Sequence, residues 1–180
     1  MRITAEASIG LVVDIQERLF PHIANGQALL DRTRLLVKGL HILGLPVLVT
    51  QQYTKGLGPT IPEIMNLFTD FSALEKRSFS CVDDAAIAGH LKASGRKFVL
   101  IAGMETHVCI LQTALDLKAA GYHPVVITDC VSSRSPADKE TALRRLASEG
   151  AILTGSESLL FELLRTSESP RFKEISNLVK

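Results

Sequence analysis

The stretch 97–121, KFVLIAGMETHVCILQTALDLKAAG, limits the possible folds more than any other part of the chain. Phe98 to Ala102 form an unbroken apolar run, the pattern of a parallel strand covered on both faces. Gly103 ends the run. From Thr106 the period becomes helical, with Val108, Leu111, Leu115 and Ala119 recurring at threes and fours until Gly121 stops them. A buried strand that turns directly into a helix is part of a βαβ crossover, which requires further strands and helices in alternation elsewhere in the chain.

They are there. An apolar run over residues 8–14 ends on Asp14, and an amphipathic helix spans 27–43 with Leu29, Leu30, Leu35, Leu36, Leu40 and Leu43 on one face. Gly44 and Pro46 close that helix, and PVLVT over 46–50 reads as a second strand. The loop QQYTKGLGPT follows, then a short helix over 62–68, an extended piece over 71–76 and an exposed turn, KRSFSC. Asp83 or Asp84 caps a helix that Gly95 ends. Beyond the opening stretch come a strand at 124–129, a helix at 136–149 between Pro136 and Gly150, a strand at 151–154 and a helix at 157–164. The polar tail carries one short amphipathic piece. This alternation predicts a three-layer α/β/α sandwich around a mostly parallel, doubly wound sheet of about six strands, in a single domain over residues 1–180.

Composition removes several functional classes. Twenty basic residues stand against nineteen acidic ones, with no block of like charge, so no nucleic-acid stripe or membrane-seeking face is expected. MRITAEASIG lacks the apolar run of a signal peptide, and no stretch is long enough for a membrane span. Three scattered cysteines, Cys81, Cys109 and Cys130, argue against a disulfide framework and for a cytoplasmic protein with reduced thiols. An apolar fraction of 46% and a positive mean hydropathy suit a homo-oligomer, a dimer or larger.

Three polar residues fall where open α/β sheets hold their chemistry, at the C-terminal edge of the strands. Cys109 lies in the first turn of the helix after the central strand, where unpaired amides and the helix dipole favour a thiolate. A small buried hydrophobe is the alternative role for such a cysteine. Asp14 is either a helix cap or a site residue, and Lys76 either a solvated lysine or a partner for the other two. Cys81 and Cys130 lack a comparable setting and read as structural. His107 belongs either to the pocket or to the edge of the core.

Taken together, Asp14 in VVDIQERLF, Lys76 in LEKRSFS and Cys109 in GMETHVCI resemble the isochorismatase-like cysteine hydrolases, the superfamily of nicotinamidase and N-carbamoylsarcosine amidase. The likeness runs from about Ser8 to Leu164, and the loop QQYTKGLGPT is similar to that of the metal-free isochorismatase-domain branch. The resemblance implies hydrolysis of a C–N bond, amide or ureido, in a small molecule. Cys109 would attack the carbonyl to give a thioester, Asp14 would carry the proton, and Lys76 would stabilise the thiolate. It further implies a cis peptide between Met104 and Glu105 and an oxyanion hole made by the backbone N–H groups of Glu105 and Cys109.

Departures from the family pattern sharpen the expectation. Nicotinamidases hold a metal with an aspartate and histidines after the second strand, whereas this chain has Gln51, Gln52 and Tyr53 there, so neither metal nor other cofactor is expected. Enzymes of the superfamily that cleave isochorismate lack the cysteine. A non-covalent vinyl ether hydrolase and a non-catalytic oligomeric binding or scaffold protein on the same fold are the alternatives. Phe20, Gln51, Tyr53, Leu57, Phe79 and His107 are the candidate substrate-pocket residues.

Overall fold

The structure, a computed structural model, describes residues 1–180. Six parallel strands form one sheet: β1 (Ser8–Val13), β2 (Val47–Gln52), β3 (Ala73–Lys76), β4 (Phe98–Met104), β5 (His123–Ser132) and β6 (Ile152–Thr154). Their order across the sheet is β3-β2-β1-β4-β5-β6. The chain therefore winds outward from β1, returns to lay β4 beside it, and winds outward the other way. Connections leaving β1 and β4 depart to opposite faces, which opens a crevice at the C-terminal ends of those two strands.

The helices are α1 (Gly26–Ile42), the one-turn α2 (Thr54–Leu57) and α3 (Pro62–Met65), α4 (Ala85–Ser94), α5 (Leu111–Ala119), α6 (Pro136–Ser148), α7 (Ser156–Leu164) and α8 (Phe172–Leu178). Alternate residues of each central strand feed opposite cores, as the period of two demands. Leu100, Ala102, Val125 and Ile127 pack on Leu36 and Leu40 of α1, Leu159 of α7 and Ile175 of α8. Leu11, Val13, Val99 and Ile101 face the other way, onto Ile87 and Leu91 of α4, Leu117 of α5 and Leu146 of α6. Cutting one such leucine back to alanine costs about 2–5 kcal/mol. Two glycines permit close approaches. A Cβ at Gly39 would overlap Leu160 of α7, and one at Gly103, whose φ is +122°, would run into the Val13 backbone. Gly103 thus sets how near the ends of β1 and β4 can come.

Asp84 caps α4, accepting from the amides of Ala86 and Ile87, and Ser135 caps α6. Three local expectations change. The helix after β4 opens with a π turn, Thr106–Ile110, so its buried face is Ile110, Thr113, Ala114 and Leu117, while Ala119 is exposed. An extra residue in the turn rotates everything that follows. KRSFSC is not an exposed turn: Ser80 and Cys81 are buried, because the turn wraps around the Lys76 ammonium. β5 runs on to Ser132 through a bulge, Ile101 pairing with Val126 but Gly103 with Val131.

Candidate active site

Asp14 follows the last residue of β1 and takes a left-handed backbone, φ 53°, which aspartate tolerates better than most residues. It caps no helix. Its carboxylate is buried instead, with Thr50 Oγ1 of β2 donating to Oδ1 at 2.7 Å and Lys76 Nζ donating to Oδ2 at 2.7 Å. Lys76 ends β3, two strands away, and its four-carbon stem crosses the end of β2 to reach the carboxylate. The ammonium is fully enclosed. Its other acceptors are Gln52 Oε1 at 2.9 Å and the carbonyls of Ser78 and Phe79, each at 3.1 Å. A lysine this deep needs such a cage to keep its charge. Burial works against that charge, but Asp14, helped by the nearby thiols, outweighs it and leaves the Lys76 pKa raised.

Cys109 occupies the π turn on the far side of the crevice and is 7% exposed. Its Sγ donates to Gln52 Oε1 at 3.4 Å, so one amide oxygen joins the thiol to the ammonium. The surroundings of the thiol work against the thiolate that the helix end favours. Burial drives the thiol pKa well above its ordinary value, and the Asp14 carboxylate adds to the rise as a charge and a hydrogen-bond acceptor; Lys76 offsets only part. Cys81, also beside the pair but wholly enclosed, is pushed up to about 11, again chiefly by burial.

A cavity of about 130 Å³ opens against the thiol, lined by Asp14, Leu19, Gln52, Leu57, Phe79, Glu105, Val108 and Cys109. That is below the roughly 300–1,000 Å³ of sites for drug-sized ligands, so it suits a molecule of few atoms. The Met104–Glu105 peptide is cis and leads Glu105 into the cavity wall. There Glu105 Oε2 accepts from the Arg134 amide at 2.9 Å and from Arg134 Nε at 3.0 Å.

Of the expected pocket residues, Leu57 and Phe79 line the cavity. Phe20, Gln51, Tyr53 and His107 do not, each for a local reason. Phe20 packs beside Gly26 at the start of α1, leaving its neighbour Leu19 to face the cavity. Gln51 points to the opposite side of β2 from Gln52 and accepts from the amide and hydroxyl of Thr60. The Tyr53 ring lies beneath the Arg77 guanidinium, 4.1 Å away. His107 Nδ1 pairs with Ser133 Oγ at 2.9 Å, while Val108 takes the lining position.

Across residues 8–158 the chain matches the model of the isochorismatase domain. It belongs to the isochorismatase family. Isochorismatase domain-containing protein 1 of Danio rerio is 42% identical over 173 residues, covering 96% of this chain and 61% of that protein. The chain thus spans about three fifths of that relative's length. A Caenorhabditis elegans structure described as MAR1 ribonuclease superposes with a TM-score of 0.93 at 35% identity, covering 99% of this chain and 92% of the other. The ycaC gene product of Escherichia coli, described as an octameric hydrolase of unknown specificity, shares the fold with a TM-score of 0.90 at 23% identity, with 99% and 95% coverage. The isochorismatase fold accounts for the parallel sheet and for the crevice between β1 and β4.

Three site residues escape a reading of this isochorismatase-family sequence. Gln52 is a cavity residue because it lies in register with Lys76, a pairing between β2 and β3 that no local pattern reveals. Gln16, wholly buried, clamps the α2 loop to β2: it donates to the carbonyls of Gln52 and Gly58 and accepts from the Gln52 amide at 2.7 Å. Arg134 reaches Glu105 across 29 residues of sequence. The apolar run stops at Thr50, whereas β2 continues through Gln51 to Gln52, so the pattern places Gln52 in a loop.

Proposed function

We propose that the protein is a cysteine hydrolase that cleaves a C–N bond, amide or ureido, of a small neutral molecule. The observation that carries this reading is the Gln52 oxygen shared by the Lys76 ammonium and the Cys109 thiol, with the Asp14 carboxylate held on the same ammonium. Cys109 Sγ attacks the substrate carbonyl as its proton passes to Asp14, so the thiol need not ionise in advance; its raised pKa suits such a coupled transfer. The carbonyl oxygen gathers negative charge and is met by the backbone N–H groups of Glu105 and Cys109. The tetrahedral intermediate collapses, the C–N bond breaks, and Asp14 returns the proton to the departing nitrogen. Water, deprotonated by Asp14, then splits the thioester. Lys76 keeps Asp14 oriented throughout.

Vinyl ether cleavage of a dianion such as isochorismate fits less well, because the cavity presents two carboxylates and no cationic side chain. RNA phosphates are disfavoured by the same pair of carboxylates. Neither a metal nor another cofactor enters this mechanism. The exposed Phe79 at the cavity mouth and the octameric Escherichia coli relative support a homo-oligomer, and the unpaired thiols suit the reducing cytoplasm.

The test is a panel of small primary amides and N-carbamoyl compounds, scored by ammonia release, with mass spectrometry of acid-quenched reactions. An acyl adduct on Cys109, and loss of turnover in Cys109→Ala, are expected. Full turnover in that variant would sink the covalent route, and RNA cleavage without amide turnover would replace the substrate class.

A further inference from the structure

The polar groups facing the cavity are strongly one-sided. Asp14 and Glu105 bring carboxylates and Gln52 directs its side-chain oxygen to the thiol, whereas no lysine, arginine or histidine is among the lining residues. The remaining wall is apolar: Leu19, Leu57, Phe79 and Val108. Asp14 has both oxygens engaged, one by Thr50 and the other by Lys76. Glu105 does not. Its Oε2 receives both bonds from Arg134, while no protein donor reaches Oε1, although the residue is only 6% exposed. Oε1 stays open to solvent rather than sealed, and in a residue that lines the cavity it can exchange water for a donor on a bound molecule.

We propose that Glu105 is the specificity-determining residue of this cavity. Its free oxygen accepts a hydrogen bond from an N–H of a neutral amide- or urea-type compound whose carbonyl lies against Cys109, and its charge turns anions away. Arg134 acts as a positioning residue: its side chain is 62% exposed, so it fixes the carboxylate from the solvent side without presenting a cation to the ligand. The proposal rests on Cys109 being the nucleophile, and it narrows the substrate to compounds that carry a donor beside the reacting carbonyl.

Three alkylating probes of similar size separate the possibilities. Iodoacetamide is neutral with N–H donors, iodoacetone is neutral without them, and iodoacetate is an anion. Each forms a bond from Sγ to its CH₂ carbon, iodide departing and the thiol proton passing to Asp14 or solvent. Rates at Cys109 are followed by peptide mass mapping and divided by the rates for glutathione under the same conditions, which removes intrinsic reactivity. The wild-type protein is expected to favour iodoacetamide over iodoacetone by on the order of tenfold or more, the scale of a hydrogen bond to a charged group, and over iodoacetate by at least as much. In Glu105→Gln the preference over iodoacetate shrinks through a gain for iodoacetate, and the preference over iodoacetone shrinks through a loss for iodoacetamide, whose N–H then meets a neutral acceptor in place of a charged one. Arg134→Ala, which keeps the carboxylate but unhooks it, is expected to lower the preference over iodoacetone severalfold while still rejecting iodoacetate; it serves if the glutamine variant misfolds. Normalised wild-type rates that are equal for all three probes would overturn the role of Glu105 and leave the nucleophile standing. Equal rates for the two neutral probes, with iodoacetate alone slow, would overturn the donor recognition. Failure of every probe to label Cys109 would overturn the nucleophile and this proposal together.

Discussion

Two ion pairs flank the same small cavity, and their lengths are nearly alike: 2.7 Å for Lys76–Asp14 and 3.0 Å for Arg134–Glu105. Their surroundings differ completely. The lysine and aspartate side chains are 0% and 1% exposed, whereas the arginine is 62% exposed and its glutamate 8%. Around the first pair each polar atom is matched, by Thr50, Gln52 and two carbonyls; around the second, one carboxylate oxygen is left over. Burial, more than separation, decides what each pair does. The enclosed one holds a proton acceptor in a single orientation, and the open one holds a group that still has a bond to offer.

The comparison breaks most sharply at Lys76. Lys76→Ala strands a buried carboxylate, so a loss of about 3–5 kcal/mol in urea unfolding is expected, together with loss of turnover. A loss below about 1 kcal/mol would mean that water already enters the cage. The next largest effect concerns pH. Because the Cys109 thiol is held above its ordinary value, its alkylation rate is expected to climb roughly tenfold per pH unit from about pH 7 to 9 without levelling, whereas a free thiol with pKa near 8.5 begins to saturate there. A plateau below pH 8 would show a thiolate already formed at rest. Smallest is the effect of Arg134→Ala on stability, expected to stay under about 1 kcal/mol because solvent screens the pair, even as probe selectivity moves. A cost as large as that at Lys76 would erase the contrast.

How much of this is legible in the sequence follows from the range of the interactions. Residues 98–102 announce a buried strand from apolar neighbours alone, and the parallel six-stranded sheet follows from repeated alternation. The positions of Asp14 and Cys109 at strand ends are equally local. Whether Lys76 is solvated or enclosed is not, since its cage draws on Asp14, Gln52 and a turn that its own period does not describe. Choosing Gln51 over Gln52 is a one-residue error, yet in a strand it exchanges the two faces. The helix after β4 illustrates the same limit: one added residue in the π turn swaps Leu115 and Ala119 for Ala114 and Leu117 on the buried side, and no composition signal marks it.

Lys76 stands on β3, a four-residue strand at the margin of the sheet with β2 as its sole strand neighbour. Such margins detach by local opening well before a molecule melts as a whole. Gentle warming should therefore silence the protein reversibly at temperatures where its circular dichroism is still that of the intact state. The tolerance of this chemistry to heat would then be governed by a sliver of backbone at the periphery, however firmly the central strands hold.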